Sequence, residues 1–251
     1  MGWKSITVAV LTAAGFVASG PAQAAPPAGT PATTQLGDRK PLGDGYAQSW
    51  VRRDASGKVV AFGISFDETS LANLGEKPTE VVLALPASAE LPFKTAVVDW
   101  NPQGHPPAHV YDLPHFDFHF YTIDEPTRRA IAPSGAAASA TPAPDIVPVG
   151  FVTDGETVPM MGKHYIAGSV PEFHGGKFTA TPIYGYYGGH LVFLESMVTV
   201  DSLSAKHAIS AALPQPARFE KPGTYPAQWS IGYDATARRY EIAFGGLTPH
   251  V

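Results

Sequence analysis

The stretch His115-Phe116-Asp117-Phe118-His119-Phe120-Tyr121 alternates aromatic and ionisable residues. Read as a strand, it sends Phe116, Phe118 and Phe120 to one face. His115, Asp117, His119 and Tyr121 go to the other. Three aromatics fix such a strand to a core, and the opposite face presents two imidazoles with a carboxylate between them. That donor set suits Zn, Mn, Fe or Cu. His115 and His119 lie about 13 Å apart along an ideal strand. That is far for one ion bound at roughly 2.0–2.1 Å. Either the strand bends, or only one of these histidines joins Asp117 as a ligand.

Two later segments add donors. His164 follows the Pro159-Met160-Met161-Gly162 turn and opens a strand. Glu195 shares a face with Leu191, Phe193 and Met197 by alternation. An unpaired carboxylate there costs several kcal/mol, which a cation would offset; an Arg partner is the plainer alternative. His105 and His109, in the Pro-rich loop before the key strand, either cover the site or supply a ligand. His174, His190, His207 and His250 sit in polar or turn contexts and are expected at the surface. The expected metal ligands are therefore His115, His119, His164 and Glu195, with His105 as an addition. Glu195 and Asp117 are the candidate catalytic carboxylates, one serving as general base towards a metal-acidified water. Zinc is the first expectation, because three protein ligands and a water form its catalytic arrangement. Copper is second, because Met160, Met161 and Met197 stand beside candidate ligands; Mn or Fe also fit.

The elements that must position these residues read as strands. Tyr46–Arg53 and Lys58–Phe66 form a hairpin across Asp54-Ala55-Ser56-Gly57. Thr79–Leu85 and Thr95–Trp100 are short buried runs. Further strands are expected at Gly150–Thr153, around Met161–Ile166, at Phe178–Tyr187 with His190–Val200 across Gly188-Gly189, and at Tyr225–Tyr233 with Arg239–Phe244. Short helical stretches are expected at Thr69–Leu74, Asp124–Ile131 and Asp201–Ala211. There is no βαβ alternation. The fold class is all-β with minor α: an antiparallel sandwich or barrel with short helices in the connections.

Lys4, the apolar stretch Ile6–Val17 and Ala22-Gln23-Ala24 follow the layout of a secretory signal peptide. We expect a signal over 1–24, a disordered leader over 25–42, and one β-rich domain over 43–251 with a mobile loop near 133–148. The mature protein would be periplasmic or secreted, with no membrane insertion after cleavage. Gly and Pro number 25 each, which favours turns over long helices. A net charge of −5 with no basic run gives no support to nucleic-acid binding. The absence of cysteine excludes disulfides, thiolate metal sites and cysteine nucleophiles. The expected partner is a metal or a small molecule; nothing in the sequence fixes an oligomeric state. No nucleophile elbow, phosphate-binding loop or dinucleotide fingerprint is present.

The run Asp99-Trp100-Asn101-Pro102-Gln103-Gly104-His105, continuing through Tyr111-Asp112 into Pro114–Tyr121, resembles the TTHB210-like family of exported bacterial proteins of unknown function. Met161–His164, Pro182–Tyr187 and Phe193–Met197 are similar to its later blocks, so the resemblance spans roughly residues 43 to 200. It implies no reaction. It does imply that His105, His115, Asp117, His119, His164 and Glu195 belong to one site. Three functions remain open. One is an exported metal-binding protein with a His/carboxylate site, acting as a metal-dependent hydrolase or oxidoreductase. The second is a non-enzymatic envelope protein that binds metal or a small ligand. The third is a structural module whose histidines only form hydrogen bonds.

Overall fold

The computed structural model describes residues 33–88 and 90–251. The expected signal peptide and the first part of the leader lie outside the described residues. Two antiparallel sheets pack as a sandwich. The first holds β1 (Thr33–Leu42), β2 (Gly45–Arg53), β3 (Val59–Asp67), β11 (Ile209–Ala212), β12 (Gly223–Asp234) and β13 (Arg239–His250), in the order β1-β2-β3-β13-β12-β11. The second holds β4 (Thr79–Ala84), β5 (Thr95–Asn101), β6 (His115–Tyr121), β7 (Phe151–Val152), β8 (Lys163–Ala167), β9 (Ala180–Tyr187) and β10 (His190–Thr199), in the order β4-β5-β6-β10-β9-β8-β7. Among the described residues, three short α-helices, α1 (Glu125–Arg129), α2 (Ala136–Ser139) and α3 (Val200–Ser204), and three 3-10 turns sit in the connections. No helix among the described residues is long and apolar enough to cross a membrane.

The aromatic face of β6 meets the first sheet as alternation demands. Phe66 stacks on Phe118 at 5.5 Å between ring centroids, and Phe62 meets Phe120 edge-on at 5.3 Å. Offset and edge-on ring pairs of this kind add to the gain from burial. Every residue of β6 is buried, so its polar face is covered as well. A second, smaller apolar cluster accounts for this: Val97, Tyr111, Tyr121, Phe178, Ile183, Val192, Phe193 and Met197 form it on the outer face of the seven-stranded sheet.

Three expectations need correction. The leader does not remain unstructured to residue 42, because Thr33–Leu42 forms β1 and pairs with β2. As an edge strand exposed along most of its length, it carries no apolar alternation to reveal it. The loop over 133–148 is tied down. Tyr186 Oη donates to the Ile146 carbonyl at 2.6 Å, the Gly188 amide donates to Ala137 at 3.1 Å, and Ile146 is buried. These ties use backbone carbonyls, which an alanine-rich sequence offers without any side-chain signal. The helix expected over 201–211 stops at Ser204. Lys206 takes a positive φ of 57°, and Ile209–Ala212 then pairs with β12.

Candidate metal centre

Strand register brings the candidate residues together. Glu195 on β10 lies directly opposite His119 on β6, and Met197 opposite Asp117. On the other side of β6, Asp117 faces Asp99 and His115 faces Asn101 on β5. Two strands beyond β10, His164 on β8 lies opposite Gly185 on β9. All of these project from the outer face of the sheet. The loop carrying His105 and Tyr111, the segment running through Met160 and Met161, and Phe173 roof them over. They enclose a cavity of about 620 Å³ lined by Asp99, His105, Asp117, His164 and Met197 among others.

The donors form two groups. In the first, His119 Nε2 lies 3.4 Å and His164 Nε2 lies 3.5 Å from the same atom, Glu195 Oε2. In the second, His105 Nε2 is 3.4 Å from Asp117 Oδ2, and His115 Nε2 is 3.2 Å from Asp117 Oδ1. Within each group of three residues, one ligand atom from each lies within 4.8 Å of the others. His115 and His119 thus fall into different groups, as their spacing along an unbent strand requires. The expectation of a single shared site gives way to two neighbouring clusters on one face.

Each cluster shows ligand atoms without partners. His115 Nε2, Asp117 Oδ1, His119 Nε2 and Glu195 Oε2 are buried and make no hydrogen bond among the described residues. Leaving one such group unmet costs about 1–3 kcal/mol. Four together rival a substantial part of a domain's net stability of about 5–15 kcal/mol. In the second cluster the opposite ring nitrogens are anchored: His115 Nδ1 contacts the Leu113 carbonyl at 2.6 Å and His105 Nδ1 contacts the Pro106 carbonyl at 2.8 Å. In the first, His119 Nδ1 lies 3.1 Å from Asp99 Oδ2, close enough for an ion pair but without hydrogen-bond geometry. Asn101 Nδ2 donates to Asp117 Oδ2 at 2.7 Å. Anchoring one ring nitrogen on a carbonyl or carboxylate leaves the other free as a ligand, the usual arrangement behind metal-binding histidines.

Charge is concentrated here. Burial pushes the Asp99 carboxyl above its usual range. Burial would also raise Asp117, but the facing His105 and His115 imidazoles outweigh it and hold Asp117 well below that range. Burial opposes the charged form of His105, yet Asp117 lifts its pKa to about 9. His119 is likewise raised against burial by Tyr121, Glu195 and Asp99. His164 is lowered, mainly by burial. Asp99 and Asp117 are cross-strand neighbours of like charge, an arrangement that destabilises a sheet unless cations intervene.

Two site residues escaped the sequence reading. Asp99 was visible as the lone acid in the apolar run Thr95–Trp100, and Asn101 follows it two positions on, on the same face. His109 stays outside, with its side chain 95% exposed beside Asp112. Glu195 Oε2 stands within 3.5 Å of the His119 and His164 Nε2 atoms rather than apart from them.

The molecule is thus an antiparallel β-sandwich that gathers two His/carboxylate clusters under a roofed face. Residues 54–100 match the TTHB210-like family, described as hypothetical protein TTHB210. The match agrees with the family resemblance in the sequence over a shorter span: it covers β3 to β5 and ends before β6. No curated protein and no solved structure matches the chain.

Proposed function

We propose that this is an exported metal-binding protein whose cavity admits a small substrate to a divalent cation held by His119, His164 and Glu195. One observation carries the reading. All four nitrogen–oxygen separations in the clusters fall between 3.2 and 3.5 Å. Ligand atoms bound at roughly 2.0–2.1 Å in a tetrahedron stand about 3.3 Å apart. Direct N–H···O hydrogen bonds run at about 2.7–3.2 Å, a range that only the His115–Asp117 separation touches. A water bonded at about 2.8 Å to two atoms this close would subtend only about 75° between them.

Imidazole with carboxylate favours zinc, with manganese or iron as alternatives. Met160, Met161 and Met197 line the same cavity and keep copper open. A bound ion would supply Lewis acidity and an acidified water for a hydrolase, or a redox centre for an oxidoreductase. The chain's own contribution is to hold the imidazoles and exclude bulk water. The cavity lies within the range of about 300–1,000 Å³ usual for small-molecule sites, which favours a substrate over metal storage alone. Glu80, Asp99, Asp117, Asp154 and Glu156 line it and no Lys or Arg does, which favours neutral or cationic substrates over anionic ones.

Elemental analysis of the untagged mature protein, with thermal melts in the presence and absence of chelator, tests the reading. Bound metal in the parent, lost in His164→Gln, together with a lower Tm after chelation, is expected. A metal-free protein indifferent to chelator would leave only the structural role. Turnover of esters, CO2 or peroxide would separate an enzyme from a non-enzymatic envelope binder.

A further inference from the structure

We propose that the pocket holds two cations at once, the second bound by His105, His115 and Asp117. This rests on the metal-binding reading above and extends it. The second cluster repeats the features of the first with different residues. His115 is fully buried with Nε2 unpartnered, and Asp117 is 4% exposed with Oδ1 unpartnered. Both atoms face each other at 3.2 Å, and His105 Nε2 approaches the same carboxylate at 3.4 Å.

Neither imidazole is free to turn away. The Leu113 carbonyl fixes the His115 ring and the Pro106 carbonyl fixes His105. Asn101 holds the carboxylate through Oδ2, leaving Oδ1 aimed at His115. The His105 and His115 rings meet edge-on with centroids 4.7 Å apart, and one ring nitrogen of each lies within 4.8 Å of the other and of an Asp117 oxygen.

The sheet keeps the two centres separate yet adjacent. Asp117 and Glu195 are diagonal neighbours across β6 and β10, a relationship that sets backbone positions about 7–8 Å apart. Neither carboxylate therefore needs to serve both ions, while His164 of the first cluster and His105 and Asp117 of the second line one cavity. Charge points the same way. Three carboxylates, Asp99, Asp117 and Glu195, lie on neighbouring strands of this face, and among the described residues no Lys or Arg lines the cavity. With the second ion bound, Asp117 acts as a ligand and not as a free general base.

Metal stoichiometry decides the matter. The untagged protein is loaded with zinc, desalted and analysed, beside His105→Gln, His164→Gln and the double variant. His105 lies on the covering loop with its side chain a third exposed, so its replacement spares the core; circular dichroism and the melt of each variant confirm folding. Two equivalents are expected in the parent, one in each single variant and none in the double. Copper(II) loading gives a second readout: two close ions produce a half-field electron paramagnetic resonance signal that each single variant abolishes. One equivalent in the parent, kept in His105→Gln and lost in His164→Gln, overturns the second centre and leaves the single-ion reading standing. Two equivalents with no loss in His105→Gln also overturn it, because the second ion then lies elsewhere. No metal in the parent removes both proposals.

Discussion

Phe193 lies across Gly185 on the neighbouring strand, where a β-carbon would fall 2.0 Å from the ring. The same ring meets His119 edge-on at 4.8 Å and His164 at 5.2 Å. Gly185 thus makes room for the wedge that sets both imidazoles. Gly185→Ala must push a buried ring towards them. Overpacking of this kind costs about 1–3 kcal/mol. We expect a lower Tm together with weakened metal binding. A lower Tm with unchanged affinity, measured by competition with a chromogenic chelator, would break the link between this glycine and the site.

Asp99 Oδ2 lies 3.1 Å from His119 Nδ1, on the side of the ring away from Glu195, so under the proposed metal-binding function it acts through His119 rather than on an ion. Residues in this position typically control about 10–100-fold in metal affinity. Asp99→Asn keeps an acceptor for the ring N–H and should lie at the lower end; Asp99→Ala should lie at the upper end. Equal affinities for parent and Asp99→Ala by calorimetric titration would remove Asp99 from the site.

The metal-free protein should be most stable near the ordinary histidine pKa of 6.5. His105 titrates at about 9 when folded, and His119 is raised too. Their contribution is complete below pH 6.5 and is lost as pH climbs through the folded value. His164 is shifted the other way, so its neutral buried ring loses stability as pH falls below 6.5. Metal needs neutral imidazoles, so its stabilising effect should grow over the interval in which the apoprotein weakens. Urea melts with and without metal from pH 5.5 to 9.5 check this. An apoprotein whose stability rises steadily from pH 6.5 to 9 contradicts it.

The strands that carry the site were legible because alternation is strict where one face is packed. β6 coincides with the expected His115–Tyr121, and β5, β9 and β10 differ from expectation by at most two residues at an end. β1 was hidden because an exposed edge leaves no pattern. β11 was hidden because Ile209-Ser210-Ala211-Ala212 carries too little apolar contrast to oppose a helical reading. At the site, the 13 Å objection from strand rise told against one ion shared by His115 and His119, yet the expectation of a single site kept both. Sequence could not say which histidine joins which carboxylate, because pairing depends on register. Only the alignment of β10 on β6 sets Glu195 against His119 and leaves Asp117 to His115.

Arg128 supports the rim of this face from a fully buried position. Its Nη1 lies 2.8 Å from Glu80 and its Nε 2.6 Å from Glu125. Its guanidinium sits 5.5 Å from the centre of the Tyr121 ring, which in turn stacks on His119 at 5.6 Å. Breaking a buried pair by removing one partner costs about 3–5 kcal/mol. The Glu80 and Glu125 side chains are 24% and 27% exposed and can regain water. Arg128→Ala should therefore fall near the lower figure. Arg128→Lys keeps the charge but cannot fork to both acids, so it should recover less than half of the loss. Metal affinity should fall only modestly, because Tyr121 braces His119 without reaching an ion. Urea denaturation paired with metal titration distinguishes the outcomes. A large loss of affinity at unchanged stability would mean that Arg128 governs the site directly, against the geometry described.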